Sequence, residues 1–277
     1  NLGIGGNSNI INISNMMIGI EKVLIKEKIK ALIVYGDTDT TVAGALVANK
    51  LNIKLFHIEA GLRSYNNKMP EETNRIITDH ISDLLFIPNK ISRLNLLREG
   101  IDNKKIIFSG DVMLDSILFF KNKIKKNKNF EKYFLLTIHR NINLNNIKFL
   151  KNLFLNLSLC NKKVIFPCHP NTLNILNKYK IKIEKNIELV KAVDYFEIIN
   201  LIYNSYLVLT DSGGLQKETF FLQKPCLVLR KETEWNEIID NKNYFLIGKK
   251  INKLNEFLNN FNKSKHVKKN LFGNGKS

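Results

Sequence analysis

The sequence predicts an α/β protein whose parallel sheets divide between two domains. Three observations lead there. Short β-rich runs alternate with longer segments of helical periodicity, the pattern of consecutive βαβ units. Ten such runs are more than one compact doubly wound domain ordinarily holds. A Lys/Asn-rich stretch at 121–128 separates them into two sets, giving expected domains at residues 1–120 and 121–277, joined near 115–132.

In the first set, a helical segment at 12–27 leads into the apolar run 31–35, and Gly36 breaks that run before a second helical segment at 41–51. A strand at 54–58 follows. The helix expected over 70–82 opens with Pro70 at its first position and acids in its first turn, where the helix dipole favours them. A strand at 84–87, a helix at 90–99 and a strand at 105–108 complete the set. The second set reads as strands at 134–138, 163–166, 187–190, 207–209, 226–229 and 244–246, with a helix at 215–222 that follows Gly213-Gly214. From about Asn259 the Lys/Asn-rich end reads as a final helix with a frayed tail.

Composition narrows the function classes. With 277 residues and 44% hydrophobic content the chain fills two ordinary cores, which excludes a disordered tail or a collagen-like fibre. The balance of 43 Lys+Arg against 25 Asp+Glu leaves +18. Only six of those cations are Arg, and the lysines are not interleaved with aromatics, so the excess reads as a solvated surface and no nucleic-acid partner is expected. Cys160, Cys168 and Cys226 lack CxxC spacing and read as inert thiols of a reducing cytoplasm. No apolar run approaches the roughly 18 residues of a membrane helix, and no grouping of His, Cys and acids has metal-ligand spacing.

Ligands of open α/β sheets bind outside the carboxyl ends of the strands, and six strand ends here are polar, which suggests one shared cleft. Between a strand and a helix, Ser212, Gly213 and Gly214 can cradle a phosphate on free amide groups; equally, Asp211 or Ser212 can simply cap the helix. Glu218, one turn on, can accept from ribose hydroxyls or stabilise the helix dipole. Glu59, Arg63, Glu71 and Arg75 follow one strand closely, and neighbouring carboxylates raise at least one pKa, as acid–base work near neutrality requires. The alternative is a surface pair of Glu71 with Arg75 worth about 0.3 kcal/mol. His139 at a strand end reads as functional, His169 between Pro167 and Pro170 as part of a rigid turn, and His57 as a satisfied core histidine.

Taken as strings, Gly36-Asp37-Thr38, HIEAGLRS at 57–64, MPEETNR at 69–75, GDVM at 110–113, Ile138-His139-Arg140 and TDSGGLQKE at 210–218 resemble the non-hydrolysing UDP-N-acetylglucosamine 2-epimerase family over residues 1–247. The resemblance implies two Rossmann-like domains of the GT-B type, UDP held chiefly by the second, a homodimer, and no cofactor. It implies inversion at C2 of a UDP-linked amino sugar through loss and re-addition of UDP. Asp37, Glu59 and Glu71 are then the acid–base carboxylates, with His139 at the leaving diphosphate. Arg75 belongs to the same charged cluster, Ser212, Gly213 and Gly214 meet the diphosphate, and Glu218 meets the ribose. Four of the six arginines, Arg63, Arg75, Arg140 and Arg230, fall where a dianionic nucleotide sugar would sit.

Two departures stand out. The family's first strand and its GTRPE-like loop are not seen before Asn1-Leu2-Gly3-Ile4-Gly5-Gly6, so the first domain is expected to be incomplete at its amino end. Trp235 stands in a TEW string where many members carry TERP, which is more like the branch acting on UDP-2,3-diacetamido-2,3-dideoxyglucuronate for surface polysaccharide. The competing readings are a hydrolysing 2-epimerase that releases ManNAc and UDP, and an inactive UDP-sugar-binding protein. A GT-B transferase fits less well, because it has no need of the HIEAGLRS and MPEETNR carboxylates.

Overall fold

The computed structural model describes residues 2–6, 8–121, 123–124, 133–233, 235–239, 243–247, 250–262 and 271–277. Two compact units form, Asn1–Asp115 with Asn270–Ser277, and Ser116–Lys269. Residues 125–132 of the expected junction, and Glu234 of the TEW string, lie outside the described residues.

The first unit runs α1 (Asn9–Lys26), β1 (Ala31–Tyr35), α2 (Asp39–Lys50), β2 (Lys54–Ile58), α3 (Pro70–Ile81), β3 (Leu84–Ile87), α4 (Lys90–Arg98) and β4 (Ile106–Phe108), then enters α5 (Val112–Lys121), within which the division falls. All its strands are parallel, in the order β1-β2-β3-β4. Small residues on α2 bring that helix onto the sheet: Ala45 and Ala48 pack on Val34 and Leu55. Thr38 caps α2, its hydroxyl accepting from the Thr41 amide. The register pairs Tyr35 with Ile58, so Gly36 and Glu59 emerge side by side at the carboxyl edge.

The end of the chain departs from the expected continuous second domain. α12 (Leu254–Asn260) closes the second unit, 263–270 lie outside the described residues, and 271–277 belong to the first unit. The cause is local packing on the GDVM string: Phe272 is buried and its carbonyl accepts the Asp111 amide at 3.0 Å. Gly110 has φ +86°, and a Cβ there would stand 3.0 Å from the Phe272 oxygen.

The second unit contains β5 (Tyr133–Thr137), α6 (Asn141–Leu144), α7 (Ile147–Ser158), β6 (Lys163–Cys168), α8 (Pro170–Lys178), β7 (Ile187–Lys191), α9 (Tyr195–Asn204), β8 (Leu207–Thr210), α10 (Gly213–Phe221), β9 (Cys226–Val228), α11 (Asn236–Ile239), β10 (Tyr244–Leu246) and α12. Its parallel sheet has the order β10-β9-β8-β5-β6-β7. Both faces are covered. Phe134, Leu136 and Leu209 face one cluster with Leu153, Phe154 and Phe166, while Leu135 and Val208 face another with Ile117, Ile199 and Ile202. Full burial of each such side chain contributes about 2 kcal/mol. Chain order reverses between β5 and β8, the switch point at which doubly wound sheets open a crevice for ligand. The fold class is therefore the expected one, α/β with two Rossmann-like parallel sheets.

Candidate active site

In the first unit the strand ends carry the acids. Asp37 follows the Gly36 turn after β1, and its carboxylate pairs with the Arg75 guanidinium from α3. Arg75 is buried and also donates from Nη1 to Glu72 at 2.9 Å. Glu59 follows β2 with φ +71°, a left-handed backbone uncommon outside glycine. Its carboxylate lies over Gly36, where an added Cβ would meet Oε2 at 3.5 Å. Glu71 stands half-buried in the first turn of α3, and among the described residues no ion pair engages it. Asp37 and Arg75 are thus brought together directly, and Glu59 lies beside the Gly36 turn that leads into Asp37.

Two residues in the expected cluster work inside the protein instead. Arg63 is spent: Nε and Nη2 grip Glu99 at 2.6 Å each, and Nη1 donates to Asp79 and the Leu62 carbonyl. Burial alone would lower its pKa, but Glu99 and Asp79 more than offset that and raise it. Arg63 is therefore corrected from a nucleotide-facing cation to a buried structural one. Glu72, which sequence reasoning passed over, accepts the Ser64 and Tyr65 amides and the Ser64 hydroxyl, fixing the loop after HIEAGLR. Burial pushes its carboxyl up, while those bonds and Arg75 bring it below the usual range. His57 is a satisfied core histidine as expected, bonded at both ring nitrogens.

In the second unit the β5 and β8 ends meet at the switch point. Thr137 and Thr210 share a hydroxyl hydrogen bond of 2.7 Å between the strands. Beyond them Asp211 accepts the His139 and Arg140 amides and the Asn143 side chain. His139 Nδ1 lies 3.2 Å from Asp211 Oδ1. Desolvation raises the Asp211 carboxyl, yet His139 and Asn143 hold it below the carboxylate range. Ser212 is the N-cap of α10, its Oγ accepting from Leu215 and its carbonyl from Gln216. Gly213 and Gly214 thus supply the first amide groups of α10, which no earlier turn of the helix can satisfy. Glu218 is buried one turn on. His139 and His169 both line cavities of about 350 and 210 Å³ at this edge of the sheet. His169 also caps α8, accepting the Asn171 amide at Nδ1. Trp235 packs under Lys217, whose Nζ lies 4.5 Å from its ring, and Thr233 bonds Gln216 beside it.

Asp79 and Glu72 are structural acids that motif reading overlooked, and Asp211, read as a possible helix cap, is a third. The spacing 72, 75, 79 along α3, one face of a helix, was the available signal for a buried polar stripe. Among the described residues no group of three or more His, Cys, Asp or Glu could hold a metal ion, and no helix is long and apolar enough to cross a membrane.

Comparison with known proteins agrees with this geometry. The family model described as UDP-N-acetylglucosamine 2-epimerase matches residues 1–277. A UDP-N-acetylglucosamine 2-epimerase homolog of Methanococcus maripaludis is 44% identical, covering 100% of this chain and 81% of its own. The UDP-2,3-diacetamido-2,3-dideoxy-D-glucuronate 2-epimerase of Pseudomonas aeruginosa is 42% identical over 84% of this chain and 68% of its own. The crystal structure of Methanocaldococcus jannaschii UDP-GlcNAc 2-epimerase, in complex with UDP-GlcNAc and UDP, matches with a TM-score of 0.89 at 42% identity, covering 100% of this chain and 81% of that one. Sequence motifs, strand topology and these likenesses converge, and the chain belongs to the UDP-N-acetylglucosamine 2-epimerase family.

Proposed function

We propose that the chain epimerises C2 of a UDP-linked N-acetylamino sugar, either UDP-GlcNAc or its 2,3-diacetamido-uronate analogue. The carrying observation is that acids and a Gly-Gly helix start stand at strand ends in a chain matched throughout by the epimerase model. In this reading one carboxylate removes the C2 proton while UDP leaves C1, giving a 2-acetamidoglucal. Protonation from the opposite face and return of UDP then complete the inversion. Asp37, Glu59 and Glu71 divide the acid–base roles. Arg75 orients Asp37 through their ion pair.

His139, held by Asp211, donates to the departing diphosphate, and the Gly213 and Gly214 amides, with the Ser212 hydroxyl beside them, receive its charge at the positive end of α10, the Ser212 amide being taken by Thr210 Oγ1. Glu218 accepts from the ribose. No nicotinamide is called for, because no carbonyl forms along this route. The enzyme acts as a cytoplasmic homodimer and supplies a manno-configured amino sugar for surface polysaccharide. The test is incubation with each UDP-sugar in deuterium oxide, followed by NMR. The expected result is the C2 epimer carrying deuterium at C2; absence of exchange with both sugars overturns the reading. Free ManNAc and UDP as the only products would replace it with hydrolysis.

A further inference from the structure

The strand ends that carry Asp37 and Glu59 are tied by a buried pair that the proposed chemistry leaves unused. The side chains of His57 and Asp79 have no solvent exposure. His57 Nδ1 lies 2.7 Å from Asp79 Oδ1, and Nε2 lies 2.8 Å from the Gly36 carbonyl oxygen. Both ring nitrogens are thus engaged within the protein. Asp79 Oδ2 accepts the Gly61 amide at 3.1 Å and Arg63 Nη1 at 2.7 Å. A single carboxylate therefore fixes two turns: through His57 the Gly36 peptide that leads into Asp37, and directly the Gly61 amide two residues beyond Glu59.

Gly36, Glu59 and Gly61 all have positive φ, at +67°, +71° and +79°. A non-glycine residue keeps such a backbone only where its surroundings over-determine it. The Phe86 carbonyl takes both the Glu59 and Ala60 amides, the Ile58 carbonyl takes the Gly36 amide, Asn95 donates to the Gly61 carbonyl, and the Asp79 pair adds the bonds to the Gly36 carbonyl and the Gly61 amide. The bidentate Arg63–Glu99 pair in turn holds the cation that offsets the buried Asp79 charge.

We propose that His57 and Asp79 are positioning residues for the epimerisation, locking the Gly36 and Gly61 turns so that Asp37 and Glu59 keep their places. This rests on the acid–base reading of those two carboxylates. Two substitutions separate the links. His57→Asn places an amide nitrogen where Nδ1 stands, keeping Asp79 and losing Gly36, whereas His57→Gln reaches the Nε2 position and keeps Gly36. His57→Asn is expected to lower kcat for C2 deuterium exchange about 100-fold with KM little changed, as a misplacement of about 1 Å does. His57→Gln, which keeps the Gly36 contact but gives up the Asp79 anchor, is expected to recover only part of that loss. Amide hydrogen exchange at residues 36–37 and 59–61 should accelerate in His57→Asn and less in His57→Gln.

Equal loss of kcat in both variants, tracking their loss of stability, would make the pair merely structural and overturn the proposal. So would unchanged amide exchange at those residues in folded His57→Asn. Should that variant not fold, Asp79→Asn is read by the same amide exchange. The unsubstituted chain is assayed first: its failure to exchange C2 deuterium overturns the epimerase reading, whereas normal exchange with an unaffected His57→Asn overturns this proposal alone.

Discussion

Asp211 and His139 are joined twice, by the His139 amide at 3.1 Å from Asp211 Oδ1 and by His139 Nδ1 at 3.2 Å from the same oxygen. The acid has no solvent exposure while the imidazole is 58% exposed, so the pair runs from the core to the mouth of the switch-point crevice. The loop after β5 is thereby anchored on the loop after β8, and the ring is presented from a fixed base.

Asp211→Asn tests that anchor. The amide group turns at least one acceptor into a donor facing the His139 amide, the Arg140 amide or the Asn143 side chain. A buried donor without an acceptor costs about 2–3 kcal/mol. The urea midpoint should fall accordingly, with folded structure retained by circular dichroism. An unchanged midpoint would show that the two loops hold themselves.

Acid should unfold the protein through three carboxylates. Asp79, Glu72 and Asp211 are each pushed up by burial and then brought below their ordinary pKa by hydrogen bonds and positive partners. A carboxyl whose folded pKa is depressed contributes stability that is fully present above the unfolded value of about 4, and loses it as pH falls through the folded value. Urea midpoints should therefore stay level from neutrality to about pH 5 and drop steeply below about pH 4. Glu72→Gln should flatten that drop while lowering the neutral plateau. A profile as steep in the variant as in the parent would assign the acid sensitivity elsewhere.

The central strands were legible because parallel strands buried on both faces read as short continuous apolar runs, as Phe134 to Leu136 and Leu207 to Leu209 do. The acids at strand ends were legible for a related reason, since polarity just after such a run marks the open edge. Three things were not. Arg63 looked like a ligand-facing cation because spacing says nothing of Glu99, which lies 36 residues away in sequence yet grips it bidentately. Asp211 looked like a helix cap, but Ser212 takes that role and Asp211 turns to the neighbouring strand end. The return of 271–277 to the first unit rests on buried Phe272, the Asp111 amide on its carbonyl and the Ser277 amide on Asp115, none of which a Lys/Asn-rich end without periodicity announces.

Gly61 illustrates a position fixed by space as well as by backbone. Its φ is +79°, and an added Cβ would stand 2.6 Å from the Ser92 carbonyl and 3.0 Å from Leu96. Gly61→Ala should cost about 3 kcal/mol, combining left-handed strain with a clash against backbone that cannot yield cheaply. The same substitution at Gly100, which also has positive φ but open space around it, should cost only about 1 kcal/mol. Urea midpoints of the two variants, compared with the parent, check the order; equal losses would mean that α4 shifts to make room.

The three candidate carboxylates differ in what else they hold, and that difference selects the decisive substitution. Asp37→Asn also breaks the ion pair with buried Arg75, and Glu59→Gln alters a residue on a strained backbone, so each mixes stability with chemistry. Glu71 holds no ion pair among the described residues and sits half-buried at the start of α3. Glu71→Gln should therefore lower the urea midpoint only by the helix-dipole contribution of about 0.5 kcal/mol, and should keep the UDP affinity of the parent, because the proposed UDP-binding residues are Ser212, Gly213, Gly214 and Glu218. Its C2 deuterium exchange should fall about 100-fold or more, the usual worth of a positioned acid or base. Calorimetry with UDP and NMR with the UDP-sugar separate the two quantities. Loss of UDP binding in step with the rate would move Glu71 from proton transfer to nucleotide binding, and full retention of rate would leave the transfer to Asp37 and Glu59.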